Sequence, residues 1–301
     1  MTVPTPSVLE SLRGTIGLWT WTHETLPPSQ AGEVAALAES LGFTSMFIPE
    51  AFGREPLVSA SLLLAGSRSL VVGTSIASIW ARDAMAAANG ARTLSSVSDD
   101  RFILGLGVSH KPMVERARGH SYDRPVAAMR AYLDALDAAS MLAPEGSIRP
   151  TRTIAALGPA MLEIAATRAD GAMPYLVTPE HTAMAREALG PNSFLIVEQA
   201  VALTDDADDF RERASAHLHT YTGLPNYTNN WRRLGFDDED FIPGGSARLQ
   251  DALVVRGDEG AVAQRVAEHQ AAGADHVCLQ VLGKNAFEVP SDDWARLAPG
   301  S

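Results

Sequence analysis

Segments of strand character and helix character alternate along this chain, and the pair recurs eight times. Strands are expected at Gly14–Thr20, Phe43–Ile48, Leu70–Ala77, Arg101–Gly107, Thr153–Leu157, Gly171–Tyr175, Phe194–Leu203 and His276–Leu282. Most are apolar nearly throughout, as parallel strands must be when helices cover them. Pro27-Pro28-Ser29 opens the first helix, with Ser29 expected as its N-cap. Ala31, Val34, Ala35, Ala38 and Leu41 recur at helical spacing, and Gly42 stops the helix. Further helices are expected at Leu57–Ala65, Asp83–Val97, Asp123–Ala139, Ala160–Arg168, Thr178–Gly190 and Glu259–Ala272. Pro125 and Pro179 sit where a first helical turn tolerates proline. One stretch breaks the rhythm. Thr204–Gly257 is polar, dotted with aromatics and less regular, and it lies between the seventh and eighth strands.

Eight such units in 301 residues fit an α/β class fold, the (β/α)₈ TIM barrel, which needs roughly 250 residues plus insertions. No low-complexity linker divides the chain, so one domain over residues 1–301 is expected. The alternative is a doubly wound sheet, which should carry G-x-G-x-x-G after its first strand. Only Gly105-Leu106-Gly107 approaches that pattern, and Pro112 follows it instead of a third glycine.

Composition removes several classes of function. A net charge of −12, with no basic run, would repel a phosphate backbone, so no nucleic-acid partner is expected. The single cysteine, Cys278, rules out an internal disulfide framework or a cysteine-based metal site, and it reads as a buried core residue. The start, MTVPTPSVLESLRG, lacks a basic segment followed by an apolar one. No run of ~18 apolar residues occurs. A cytoplasmic protein with no membrane partner is the expectation. His217 and His219 are two apart and cannot share a helix face, H-E-x-x-H is absent, and no metal is expected. Asp205–Asp209 reads as a helix start.

In a TIM barrel the chemistry sits at the C-terminal ends of the strands. Those ends carry Trp19 and Trp21, Pro49-Glu50, Ser75–Ser78 with Trp80 and Arg82, Gly107–His110, Gly158-Pro159, Tyr175-Leu176, and Glu198-Gln199. This rim is aromatic and apolar with few charges, which suits a planar, partly apolar cofactor. Gly158-Pro159-Ala160 runs straight into a helix, where free backbone N–H groups can bind phosphate; the alternative is an ordinary strand-to-helix turn. His110 can exchange a proton near neutral pH, or simply bond to its own loop. Glu50 either faces the mouth as a buried carboxylate or pairs with Arg54 or Arg82.

Five segments in strand order resemble the luciferase-like monooxygenase superfamily, in its branch that uses coenzyme F420. They are GTSIASIWARD (Gly73–Asp83), RFILGLGVSH (Arg101–His110), YDRPVAAMRAYLDAL (Tyr122–Leu136), AALGPAMLEIAATRADGAMPYLVTPEH (Ala155–His181) and AGADHVCLQVL (Ala272–Leu282). The resemblance implies a non-proline cis peptide at Ser75-Ile76 behind a flat cofactor ring, with Ser78 in contact. It implies that Ala156, Leu157, Gly158, Pro159 and Ala160 hold the cofactor phosphate, that Tyr175 and Leu176 add contacts, and that Thr204–Gly257 lids the mouth. It also implies a homodimer. Two positions depart from the pattern. Ala51 stands where some deazaflavin dehydrogenases carry histidine, and His110 stands where the same enzymes place a glutamate proton donor, so their sugar-phosphate substrate is not implied.

The implied cofactor is coenzyme F420, with FMN the alternative. A deazaflavin does not readily activate oxygen and so implies hydride transfer to or from a small-molecule substrate, whereas FMN would permit monooxygenation. In that scheme His110, supported by Glu50, moves the proton, and Trp21 and Trp80 bind substrate. A non-catalytic cofactor-binding barrel is a third reading, motivated by Ala51. A lyase or aldolase would need a well-placed lysine or a metal, and the only lysines are Lys111 and Lys284.

Overall fold

The apolar runs fold as short parallel strands, each followed by a helix that covers its outer face. The structure, a computed structural model, describes residues 7–142 and 149–299. Residues 1–6, on which part of the leader reading rests, lie outside the described residues. The strands are β1 (Ile16–Trp19), β2 (Ser45–Ile48), β3 (Val71–Thr74), β4 (Ala77–Ser78), β5 (Phe102–Gly107), β6 (Arg152–Ile154), β7 (Gly171–Ala172), β8 (Phe194–Ala202), β9 (Val254–Arg256) and β10 (His276–Val281). Neighbours pair in parallel from β1 to β8. β10 then pairs with β8, Cys278 opposite Glu198, and with β1, Val277 opposite Ile16. That closes an eight-stranded TIM barrel, with β4 continuing β3 after a break and β9 an extra strand beside the end of β8.

The helices begin where local chemistry satisfies their free N–H groups. Side chains of Glu55, Asp83, Thr178 and Asp258 each accept from a first-turn N–H, as N-caps do. Gly42, at φ +89°, follows the helix Ala31–Ser40 as expected. Its N-terminus differs from the sequence reading. Ser29 lies inside a tight 3₁₀ turn, Pro28–Gln30, closed by Gln30 N–H to Pro27 O at 2.9 Å, and no side chain caps the helix. Two prolines in succession set up that turn and carry Ser29 past the capping position.

Inside the barrel, Phe47, Val71, Ile103, Phe194, Ile196 and Cys278 form one buried cluster with Leu9 and Leu12 of a short helix, Val8–Leu12. That end of the barrel is filled with side chains, so the open end is the other one. A larger apolar layer lies between sheet and helices.

The stretch expected to be irregular is mostly helical: Ala207–Leu218, Pro225–Arg233 and Ala247–Leu253, then β9. Asp206 caps the first of these through Oδ1, in line with the acid-rich start. The segment has its own core of Phe210, Ala214, Leu218, Tyr227, Trp231 and Leu249. Pro225–Arg233 hides its period because only Tyr227 and Trp231, one turn apart, are large and apolar in a run otherwise rich in asparagine and arginine. Among the described residues, no helix is long and apolar enough to cross a membrane.

Candidate active site

The break between β3 and β4 shapes the open end of the barrel. The Ser75-Ile76 peptide is cis, as the resemblance implies. The ends of β1 and β2 pin it. Ser75 N–H donates to Ile48 O at 2.7 Å, Glu50 N–H donates to Ile76 O at 3.1 Å, and Trp19 Nε1–H donates to Ser75 O at 3.3 Å. Glycines on β5 admit this close approach. A Cβ on Gly105 would lie 1.8 Å from Thr74 O, and one on Gly107 would lie 2.6 Å from Ile76 Cγ1, both inside contact distance.

Above this floor lies a cavity of about 1380 Å³, larger than a typical drug-sized pocket. It brings together most of the residues singled out in the sequence. Ser75 and Ile76 form part of the floor; Trp21, Glu50, His110 and Tyr175 stand in the walls; and Ala156 to Ala160 line one end. Ser78, Trp80 and Leu176 do not reach the cavity. Ser78 is buried, and its Oγ accepts from Trp80 N–H at 3.3 Å. Trp80 turns its indole N–H to Val108 O at 2.9 Å and packs on Tyr122. Leu176, at φ +53°, is buried behind Tyr175. Its N–H donates to Glu198 Oε2 at 3.0 Å, and its carbonyl accepts from Trp231 Nε1–H at 3.1 Å.

Glu50 is committed to several partners. Its Oε1 accepts from Arg82 Nη2 at 2.8 Å and Arg118 Nη2 at 3.0 Å, and its Oε2 accepts from Ser78 N–H at 2.7 Å. Arg54 instead pairs with Glu24 at 3.4 Å. Of the two pairings considered for Glu50, Arg82 is therefore present and Arg54 is not, and Arg118 is added.

His110 is different. Its Nδ1 is buried with no hydrogen-bond partner. Burial lowers its pKa, partly offset by a side-chain hydrogen bond to Asn226, so the ring is a neutral imidazole at neutral pH. Its ring lies 5.6 Å from that of Tyr227.

At the other end of the cavity, the helix Pro159–Arg168 starts at Gly158. Pro159 has no N–H, and Met161 and Leu162 both donate to Gly158 O. Among the described residues, the N–H groups of Gly158 and Ala160 have no acceptor, as helix starts leave them. The Arg233 guanidinium stands over this turn, where a Cβ on Gly158 would lie 3.4 Å from its Nη2. Backbone N–H groups alone were expected to bind phosphate here, yet the lid adds the Arg233 guanidinium.

The lid adds Tyr221, Tyr227 and His217 to the wall, none of them singled out beforehand as cofactor or substrate contacts. Tyr221 Oη donates to Tyr175 Oη at 3.3 Å, and Tyr175 Oη donates to Gln280 Oε1 at 2.7 Å. Burial pushes the Tyr221 phenol up to about 12. The one available signal was the aromatic spacing within Thr204–Gly257, which could not be aimed without the helices. Among the described residues, no group of three or more His, Cys, Asp or Glu side chains converges as a metal site would require.

The open end of this parallel barrel thus holds a deep aromatic cavity, an imidazole with one unpartnered ring nitrogen and a helix N-terminus, at the face where TIM barrels carry their sites. The luciferase-like monooxygenase family profile matches residues 15–276, and the chain belongs to that family. A candidate coenzyme F420-dependent oxidoreductase of Mycobacterium tuberculosis is 36% identical over 108 residues, covering 36% of this chain and 31% of the relative. A 5,10-methylenetetrahydromethanopterin reductase of Methanolobus tindarius is 27% identical over 166 residues, covering 49% of this chain and 50% of the relative. The matches thus span 31% to 50% of the length of these curated relatives. Among solved structures, the coenzyme F420 dependent tetrahydromethanopterin reductase of Methanopyrus kandleri superposes with a TM-score of 0.74 at 16% identity, covering 94% of this chain and 96% of that one. The EDTA monooxygenase of Chelativorans sp. BNC1 gives 0.69 at 12% identity, covering 95% and 93%. At such identities these structures speak for the fold alone.

Proposed function

We propose that this chain is a coenzyme F420-dependent oxidoreductase that moves a hydride to or from a small, neutral organic substrate. The observation that carries the reading is the cavity itself. It has a floor at Ser75 and Ile76 and, at one end, free N–H groups at Gly158 and Ala160 beside the Arg233 cation. That combination suits a flat ring joined to an anionic tail. The deazaflavin, when bound, supplies the hydride-carrying ring carbon.

The chain's own residues do the rest. Gly158, Ala160 and Arg233 hold the phosphate, with Ala156, Leu157 and Pro159 shaping the turn. Ser75, Ile76 and Tyr175 flank the ring. Ser78 and Leu176 act from behind the wall, Ser78 by holding Glu50 and Leu176 by linking the seventh barrel strand to Trp231. Trp21 packs against substrate, while Trp80 backs the loop that carries His110. Neutral His110 takes the proton from a substrate hydroxyl at Nδ1, or returns it in the reverse direction. Glu50 supports this site by position, fastening the ends of β2 and β4 to two arginines.

Anaerobic turnover tests the reading. Deazaflavin reduction should accompany oxidation of one member of a panel of secondary alcohols and should be lost in His110→Gln. Oxygen uptake with reduced FMN, and none of the deazaflavin reaction, would make the chain a monooxygenase instead.

A further inference from the structure

Among the described residues, two buried imidazole nitrogens in the cavity wall have no hydrogen-bond partner. They are His110 Nδ1 and His217 Nε2. The two rings come from different parts of the chain, His110 from the loop after β5 and His217 from the lid helix Ala207–Leu218. Two tyrosines fill the wall between them. Tyr227 lies 5.6 Å from His110, Tyr221 lies 4.9 Å from Tyr227, and His217 lies 5.8 Å from Tyr221, all between ring centroids. Buried polar atoms are nearly always paired, so two orphans on one wall call for an explanation.

We propose that His217 is a substrate-binding residue, and that with His110 it grips a neutral, flat ring compound bearing two oxygen functions, packed against Tyr221 and Tyr227. The class follows from the wall. Tyr221 and Tyr227 stand at 77° to one another, so together they offer a ring one face and one edge, and an unpaired ring nitrogen at each end selects an oxygen function at each end. Burial holds the His217 pKa down at about 4, so it offers no cation to an anionic substrate. The lining offers little either. Asp206, Glu212 and Glu288 line the same cavity as Lys284, and Arg213 is held by Asp209 at 2.6 Å. A hydroxylated polycyclic alcohol or ketone fits; a sugar phosphate does not.

The proposal rests on the oxidoreductase reading of this cavity, and the test separates the two. The full chain, labelled with ¹⁵N-histidine, is titrated with 2,6-dihydroxynaphthalene and, separately, with naphthalene-2-sulfonate, F420 and FMN. The expected result is saturable binding of the diol at least about tenfold tighter than the sulfonate, with a shift of the His217 Nε2 resonance. His217→Phe, which keeps the ring but removes the nitrogens, should weaken the diol about tenfold, and His217→Gln should stay within about threefold of wild type. Both should leave F420 and FMN affinity unchanged. An unmoved His217 resonance at saturation, which needs no variant to observe, would overturn the proposal. So would absence of diol binding, or loss of cofactor affinity in His217→Phe. If neither cofactor binds while the diol still shifts His217, the cofactor reading fails and the substrate contact stands.

Discussion

The backbone N–H of Ser78 donates to Glu50 Oε2 at 2.7 Å, and the other oxygen of that carboxylate takes both Arg82 and Arg118. One side chain thereby joins the ends of β2 and β4 to two arginines, with only 5% of its surface exposed. Breaking a buried ion pair by removing one partner typically costs about 3–5 kcal/mol. Glu50→Ala should lose stability on that scale in urea denaturation. Glu50→Gln, which keeps an acceptor for Ser78, should lose less. A change under about 1 kcal/mol in the alanine variant would show the clamp to be unimportant.

His110 should matter for chemistry and little for cofactor binding. General acid–base groups contribute about 10²–10⁴-fold. His110→Gln should lower kcat by about a hundredfold or more, with F420 affinity within about threefold of wild type. Equal losses in both would place His110 against the cofactor instead.

Stability should peak near pH 6.5, and the sign follows from four buried groups. Burial lowers His217, His269 and His276 from 6.5 to about 4, 3 and 4. The unfolded chain therefore binds more protons below pH 6.5, and stability falls as pH drops through that range. Burial raises Glu198 from 4.5 to about 8. Here the folded chain binds the extra proton, so stability is greatest below 4.5 and declines as pH rises toward 8. Each group contributes a slope of about 1.4 kcal/mol per pH unit. Three rising slopes outweigh one falling slope up to about pH 6.5, and Glu198 acts alone above it. Urea denaturation across pH 5 to 9 reads both limbs, and Glu198→Gln should flatten the alkaline one. An unchanged alkaline limb in that variant would contradict the assignment.

Much of this architecture was legible in the sequence because parallel strands covered on both faces leave apolar runs, and helix starts leave Thr178-Pro179-Glu180 and similar signals. The strand ends then located the floor at Ser75-Ile76, the turn at Gly158 and the wall at His110. The lid was not legible. Trp231, Tyr227 and His217 derive their roles from how helices Ala207–Leu218 and Pro225–Arg233 cross the mouth, and no local period encodes that crossing. Trp80 and Leu176 lie at strand ends as expected, but Trp80 follows the break between β3 and β4 and Leu176 has a left-handed φ of +53°, and neither side chain reaches the cavity. A one-residue change of phase at a strand end reverses the face a side chain meets.

Arg233 tests the tail subsite. Charge-assisted contacts to phosphate are about twice as strong as neutral ones. Arg233→Ala should weaken F420 about tenfold and reduce the salt dependence of binding, and Arg233→Lys should recover part of the loss. Unchanged affinity in the alanine variant would leave the backbone N–H groups as the whole subsite.

Whether this cavity holds a flat ring with an anionic tail is read most directly by titration calorimetry of the purified chain with F420 and with FMN. One F420 should bind per chain with a Kd of about 1 μM or tighter, near −8 kcal/mol, and FMN should bind more weakly. No heat from either compound at about a hundred times that concentration would contradict it.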